Sequence, residues 1–190
     1  IINAGSSAGT EDFTESIIQE FGQVLFHGIN MMPGKPTLFG LIEGKPVFGI
    51  PGYPVSALVS FKTFFEPLFE RLARTTLFRK TVPCLTPYKI PSTLGVEEVI
   101  RVNLVKRGND YFAYPLPRGA SVFSSVSKAD ALLRIPSNVE GYGENERIYC
   151  ELTRDEEEIP RRIQIIGSHD LSLDVMRDII STRHAGLDLI

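Results

Sequence analysis

The sequence predicts an α/β unit followed by a small all-β domain, a barrel or a sandwich. Three observations carry this. Over residues 1–77, strand-length apolar runs alternate with glycine or proline loops and with stretches of helical spacing, the grammar of an α/β sheet. From Phe78 onward, several short extended runs are separated by turn signals, as in a compact β domain. A charge-rich stretch then precedes one more strand–helix–strand pattern. The expected organisation is an α/β domain over 1–77, a β-barrel-like domain over 78–153, a linker over 154–162 and the start of a third unit over 163–190.

The elements follow in order. Ile1-Ile2 reads as the tail of a buried strand, with Gly5-Ser6-Ser7-Ala8-Gly9 as a small-residue loop. Thr10 can cap a helix whose apolar face is Phe13, Ile17, Ile18 and Phe21, with Gly22 as its C′ stop. A strand, a glycine loop and a helix N-terminus together suit an anion, although most such loops are only tight turns. Asp12, in the first turn, is favoured there by the helix dipole alone. Residues 23–28 read as a strand. His27 at its end reads first as a satisfied core or interface residue, and only second as a ligand or acid–base group. Two rigid loops come next, Met32-Pro33-Gly34-Lys35-Pro36 and Ile50-Pro51-Gly52-Tyr53-Pro54-Val55-Ser56. They flank strands at 37–42 and 46–50, joined by a Glu43-Gly44-Lys45 turn. Pro54 suits the first position of a helix expected over 54–74, which places Ser56 in its first turn. Pro67 predicts a kink near Phe64. Extended runs follow at 78–90, 96–106, 111–116, 129–135 and 146–152, with Gly108-Asn109-Asp110 as a hairpin turn. Residues 118–127 read as a polar, serine-rich loop or short helix. The charge run 153–162 reads as a linker. Strands are expected at 163–166 and 185–190, with a helix over 171–180 between them. Both ends read as cut, so the chain is expected to be part of a longer polypeptide.

Composition excludes several classes. Hydrophobic content of 43% supports a real core. A net charge of −3 with no basic segment argues against nucleic acid as a partner. No apolar run approaches the roughly 18 residues of a membrane span, and no signal-peptide pattern opens the chain. Cys84 and Cys150 stand too far apart for a metal motif and read as free buried thiols, which fits a cytoplasmic location.

Four stretches together resemble the MoeA family, the molybdopterin molybdenumtransferases that include the C-terminal domain of gephyrin. They are Asn3-Ala4-Gly5-Ser6-Ser7-Ala8-Gly9 with Asp12-Phe13-Thr14, Pro33-Gly34-Lys35-Pro36, Pro51-Gly52-Tyr53-Pro54-Val55-Ser56-Ala57, and the serine loop ending in Lys128-Ala129-Asp130-Ala131-Leu132-Leu133. The resemblance implies a partial three-layer α/β molybdopterin-binding domain and a β-barrel-like C-terminal domain. It implies a homodimer whose site lies between the α/β domain of one subunit and the β domain of the other. It also implies a reaction in which molybdate, or tungstate, is inserted into adenylylated molybdopterin and AMP is released, with Mg2+ as cofactor. Carried over by position, Asp12 would lie near the pyrophosphate and hold the metal. Gly5, Ser6, Ser7 and Gly9 would cradle pterin or phosphate. Lys35, Ser56, Arg101 and Ser125 would act at the anion, with Pro36, Pro51, Gly52 and Pro54 shaping the binding loops. Residues 163–190 resemble the start of a periplasmic-binding-protein-like domain appended in some prokaryotic members.

Physical magnitudes support convergence of several groups. Micromolar anion binding needs about 8 kcal/mol, whereas an exposed helix N-terminus contributes only about 0.3–1 kcal/mol. Hydroxyl, ammonium, guanidinium and backbone donors must therefore meet at one place, with Arg101 expected from across an interface. Four departures stand out. The family usually has lysine where Met32 stands, asparagine where Tyr53 and Asp130 stand, and Ser-Gly-Gly-x-Ser where the opening loop reads Asn-Ala-Gly-Ser-Ser. Met32 and Tyr53 motivate an alternative, a non-catalytic molybdate- or pterin-binding sensor or regulatory protein. A scaffolding role is a third class.

Overall fold

Residues 1–77 build a four-stranded sheet with helices against it. The computed structural model describes residues 1–3, 13–119, 128–159, 161–163, 165, 170–184 and 187–189. The elements are β1 (Ile2–Asn3), α1 (Thr14–Phe21), β2 (Gly22–His27), β3 (Met31–Met32), β4 (Leu38–Ile42), β5 (Lys45–Ile50), α2 (Pro54–Ser60), a π-helical turn (Phe61–Phe65) and α3 (Glu66–Ala73). Sheet order is β1-β5-β4-β2, with β1 parallel to β5 and the other pairs antiparallel. The helical run ends at Arg74 in the left-handed region.

Several expectations are corrected here. The Thr10 cap lies outside the described residues, and α1 is described from Thr14. Of its predicted apolar face only Ile18 is buried, while Phe13, Ile17 and Phe21 are exposed. Gly22 does end α1, but in an extended conformation instead of a left-handed C′ turn. Its missing side chain matters for space, since a Cβ would overlap the Leu41 carbonyl across the β2–β4 pair. Ile1 and Ile2 are exposed and not the buried strand tail expected. The long helix is interrupted as Pro67 predicts. The break takes the form of a π-helical turn, in which the Glu66 N–H donates to Phe61 O.

From residue 81 the chain forms a barrel: β6 (Thr81–Leu85), β7 (Ile90–Pro91), β8 (Glu97–Arg107), β9 (Asp110–Pro115), β10 (Ala131–Ile135), β11 (Gly141–Tyr142) and β12 (Arg147–Leu152). Strands β10, β12, β6, β9 and β8 close on one another, because β10 pairs with both β12 and β8. Only the β6–β9 contact in this ring is parallel. Val82, Cys84, Ile100, Val102, Leu104, Leu133, Ile148 and Cys150 fill the interior, with Ile100, Val102 and Leu104 at alternate positions of β8 facing it. The single run expected over 78–90 is two strands. Thr86, fully buried, lies between them, its hydroxyl donating to Gly143 O at 2.5 Å, and Phe78 is 89% exposed. Both cysteines are free and buried. The contact with the Cys84 thiol, and then burial, pushes the Cys150 thiol upward.

A second apolar cluster joins the barrel to the α/β part: Met31, Val55 and Val59 meet Val99 of β8 and Leu132 of β10. Polar contacts edge this seam, with Lys62–Glu151 at 2.9 Å, Arg134–Glu97 at 2.7 Å and Arg134–Thr63 Oγ1 at 2.9 Å. Strand β3 pairs in parallel with Glu97 and Glu98 at the start of β8.

The predicted linker is anchored. Arg162 reaches both oxygens of the fully buried Asp130 and donates to Leu104 O at 2.9 Å, while Arg154 Nε lies 3.4 Å from Asp130 Oδ1. Asp130 also accepts the Leu104 N–H at 2.8 Å. The charge run therefore supplies the counter-charges of a buried carboxylate. β13 (Arg161–Ile163) pairs in parallel with β14 (Leu187–Leu189), with α4 (Leu171–Arg183) between them. The strand expected over 163–166 is described over Arg161–Ile163, residues 164 and 166 lie outside the described residues, and Ile163 and Ile165 are exposed.

Candidate functional site

The lysine loop is fixed by its own backbone. Ile29 N–H donates to Lys35 O at 2.8 Å, Gly28 N–H to Thr37 O at 2.9 Å and Thr37 N–H to Gly34 O at 3.0 Å. Thr37 is fully buried, and its hydroxyl lies 2.7 Å from Gly34 O and 2.6 Å from Ser60 Oγ. Gly34 has φ +118°, and a Cβ there would approach Met31 Cε to 2.7 Å. Lys35 is consequently held on a tight, exposed loop. The second loop delivers Ser56. Tyr53 is the extended N-cap residue of α2, Pro54 follows, and Ser56 is buried in the first turn.

The seam now decides what faces these loops. Val55 and Val59 pack on Val99, which shares a face of β8 with Arg101, and Arg101 lies opposite Leu132 in the β8–β10 register. A cleft of about 530 Å3 results. Met31, Met32, Lys35, Pro36, Tyr53 and Ser56 line one wall, and Ser92, Glu98, Arg101, Arg118 and Gly119 line the other. Residues of one chain line both of these walls.

The predicted residues that fall in the described part of the chain can be placed. Lys35, Pro36, Ser56 and Arg101 come together in the cleft. Pro51, Gly52 and Pro54 shape the second loop without lining the cleft. Gly5, Ser6, Ser7, Gly9, Asp12 and Ser125 lie outside the described residues. Arg101 is 4% exposed, and its Nη2 donates to Pro117 O at 2.7 Å and Gly119 O at 3.1 Å. Burial away from water pushes its guanidinium below the ordinary arginine value. His27 pairs with Glu15 at 2.7 Å and does not line the cleft, but it is exposed and not the core residue that the simpler assignment expected. Among the described residues, no group of three or more His, Cys, Asp or Glu side chains is placed to hold a metal ion.

Sequence reasoning missed Ser92, Glu98 and Arg118. Glu98 is buried, accepts from Ser92 Oγ at 2.9 Å and faces Arg118 Nη1 at 3.3 Å. Arg118 Nη2 donates to Pro91 O at 2.5 Å. The available signal was Glu98 itself, a carboxylate with the inward parity of Ile100 and Val102 on a core strand.

Comparison with known proteins completes the site. Residues 1–71 match the model of a probable molybdopterin binding domain, and residues 85–152 match that of the MoeA C-terminal region, domain IV. The two matches follow one another in order and cover most of the chain. The chain belongs to the MoeA family. A Methanocaldococcus jannaschii protein named for molybdopterin biosynthesis is 36% identical over 149 residues, which cover 78% of this chain and 34% of that protein. The molybdopterin molybdenumtransferase of Haemophilus influenzae is 41% identical over 80 residues, covering 42% of this chain and 20% of its own length. The crystal structure of a molybdopterin biosynthesis MoeA protein from Pyrococcus horikoshii superposes with a TM-score of 0.64 at 35% identity, over 76% of this chain and 35% of that one. This chain thus spans about a third of the length of the first of these relatives and of the Pyrococcus structure. The MoeA seam described above lies between the two matched regions, which places this chain's cleft where they meet.

Proposed function

We propose that the protein acts in molybdenum cofactor biosynthesis as a molybdopterin molybdenumtransferase, inserting molybdate or tungstate into adenylylated molybdopterin with release of AMP. The observation that carries this is the convergence of Lys35, Ser56 and Arg101 on one cleft. The Lys35 ammonium attracts the anion, and the Ser56 hydroxyl, at a helix first turn, donates to an oxyanion oxygen. Arg101 backs the cleft with positive charge while holding residues 117 and 119. The walls of the cleft exclude part of the bulk water, which strengthens each of these interactions. Asp12 is the proposed holder of Mg2+, which when bound would neutralise charge on the pyrophosphate. A cytoplasmic homodimer, with Gly5, Ser6, Ser7, Gly9 and Ser125 completing the pterin and anion contacts, belongs to the same proposal. So does a ligand-binding role for a unit begun by β13, α4 and β14.

The test is turnover by the full-length protein supplied with adenylylated molybdopterin, Mg2+ and molybdate. AMP and active cofactor are expected, and Lys35→Ala should lower kcat/KM about tenfold or more, the scale of one lost charged contact. Substrate and molybdate binding without AMP release would overturn the transferase and make the protein a sensor.

A further inference from the structure

Resting on the anion-site assignment proposed above, we infer that Arg118 supplies a guanidinium that contacts the bound oxyanion from the barrel wall, with Glu98 and Ser92 as the positioning residues that aim it. Arg101 is nearly sealed from water, and its Nη2 is engaged by the carbonyls of Pro117 and Gly119. Through these two bonds it clips the segment that carries Arg118 onto β8. The Arg118 side chain lines the same cleft and is 46% exposed. Nη2 donates to Pro91 O and Nη1 faces Glu98 Oε1. Those two contacts occupy part of the planar five-donor fork, and the remaining N–H groups are left for a ligand.

Glu98 cannot swing to follow the arginine. It is buried, and Ser92 Oγ donates to its second oxygen at 2.9 Å. The arginine is therefore tethered at one edge and open at the other, a geometry that matches a tetrahedral oxyanion. The same chemistry is offered by free molybdate or tungstate and by a phosphate group of a nucleotide-bearing substrate. Met32, 54% exposed on the opposite wall, contributes no charge. Arg118 is thus the cation that offsets the apolar character of that wall.

The experiment is calorimetric titration of the full-length protein with molybdate and, separately, with inorganic pyrophosphate. Arg118→Gln alone would leave Glu98 without its counter-ion, so Glu98→Gln/Arg118→Gln is measured beside it, with thermal melts to verify folding. The double variant is expected to raise Kd about tenfold for the oxyanion that Arg118 contacts, the scale of one charge-assisted pair. The single variant should raise it further, because an unpaired carboxylate then faces the anion. Adding Met32→Lys to the double variant should recover most of the loss. Where the glutamine variants melt early, Arg118→Lys keeps the charge beside Glu98 and should weaken binding severalfold through loss of the fork. Weakening for molybdate alone assigns Arg118 to the metal oxyanion, and weakening for pyrophosphate alone assigns it to the substrate phosphate. Unchanged binding in the double variant, with Lys35→Ala weakened, overturns the role of Arg118 and leaves the cleft assignment standing. If wild type binds neither anion, both fall.

Discussion

One hydroxyl holds the lysine loop to the helix that follows the second loop. Thr37 is fully buried between Gly34 O and Ser60 Oγ, so its oxygen links the loop carrying Lys35 to the end of α2. Replacing it by valine keeps the shape but strands the Ser60 hydroxyl in an apolar pocket. Thr37→Val should lower stability by about 1–3 kcal/mol, the cost of a buried polar group without a partner. Thr37→Val/Ser60→Ala, which removes both hydroxyls, should lose less than the two single variants summed, as read from denaturant midpoints. At this scale the sequence was informative where covalent geometry dictates the outcome. The proline–glycine loops, the first-turn position of Ser56 and the small residue at Gly34 are all legible, because proline and glycine restrict the backbone directly. Asp130 was noticed only as a departure. Its meaning depends on Arg162, 32 residues away, and no local pattern announces that contact.

Elements were legible in type and less so in extent. Pro67 announces an interruption, but its form, a π-helical turn that stacks Phe61 on Phe65 at 4.6 Å, depends on tertiary packing. The 3-10 turn Glu156–Glu158 looked like linker, yet it is tied to the barrel. Glu156 Oε2 lies 2.6 Å from Lys80 Nζ, and Tyr111 of β9 donates its hydroxyl to Glu156 Oε1 at 3.0 Å. Burial, and then the hydrogen bond to Glu156, pushes the Tyr111 phenol up to about 12. Lys80, and then Tyr111, holds the Glu156 carboxyl below its usual range. The signs follow. A phenol raised in the folded state contributes stability that is complete below its ordinary value of about 10 and is lost as pH rises through about 12. The depressed carboxyl contributes stability above the ordinary carboxylate range, which is lost as pH falls through its folded value. Wild type should therefore be more stable than Tyr111→Phe near neutrality, with the gap narrowing as pH climbs from about 10 to about 12. Urea midpoints across that window check this, and parallel profiles would refute it.

At the scale of the molecule, the least legible feature is also the one that makes the cleft. The α/β grammar and the run of short strands were both readable, since each is a matter of local period and turn chemistry. Their mutual packing was not. Met31, Val55, Val59, Val99 and Leu132 are separated by up to about a hundred residues and carry no joint signal in the sequence. Without that seam, Lys35, Ser56 and Arg101 can be assigned to a site but Glu98 and Arg118 cannot, which is why the second wall was recognised only at Arg101. The two-residue strand β3 gives this junction a built-in reporter. The Glu97 N–H donates to Asn30 O at 2.9 Å, so a main-chain amide of the barrel is protected by a carbonyl of the α/β part. Its hydrogen–deuterium exchange can proceed only when the two parts separate locally or the whole chain unfolds. Exchange at Glu97 then measures how often the cleft comes apart. A ligand bridging both walls should slow that amide severalfold while leaving the amides of the β4–β5 hairpin at their unliganded rates. The opening rate of the cleft would become readable from one proton.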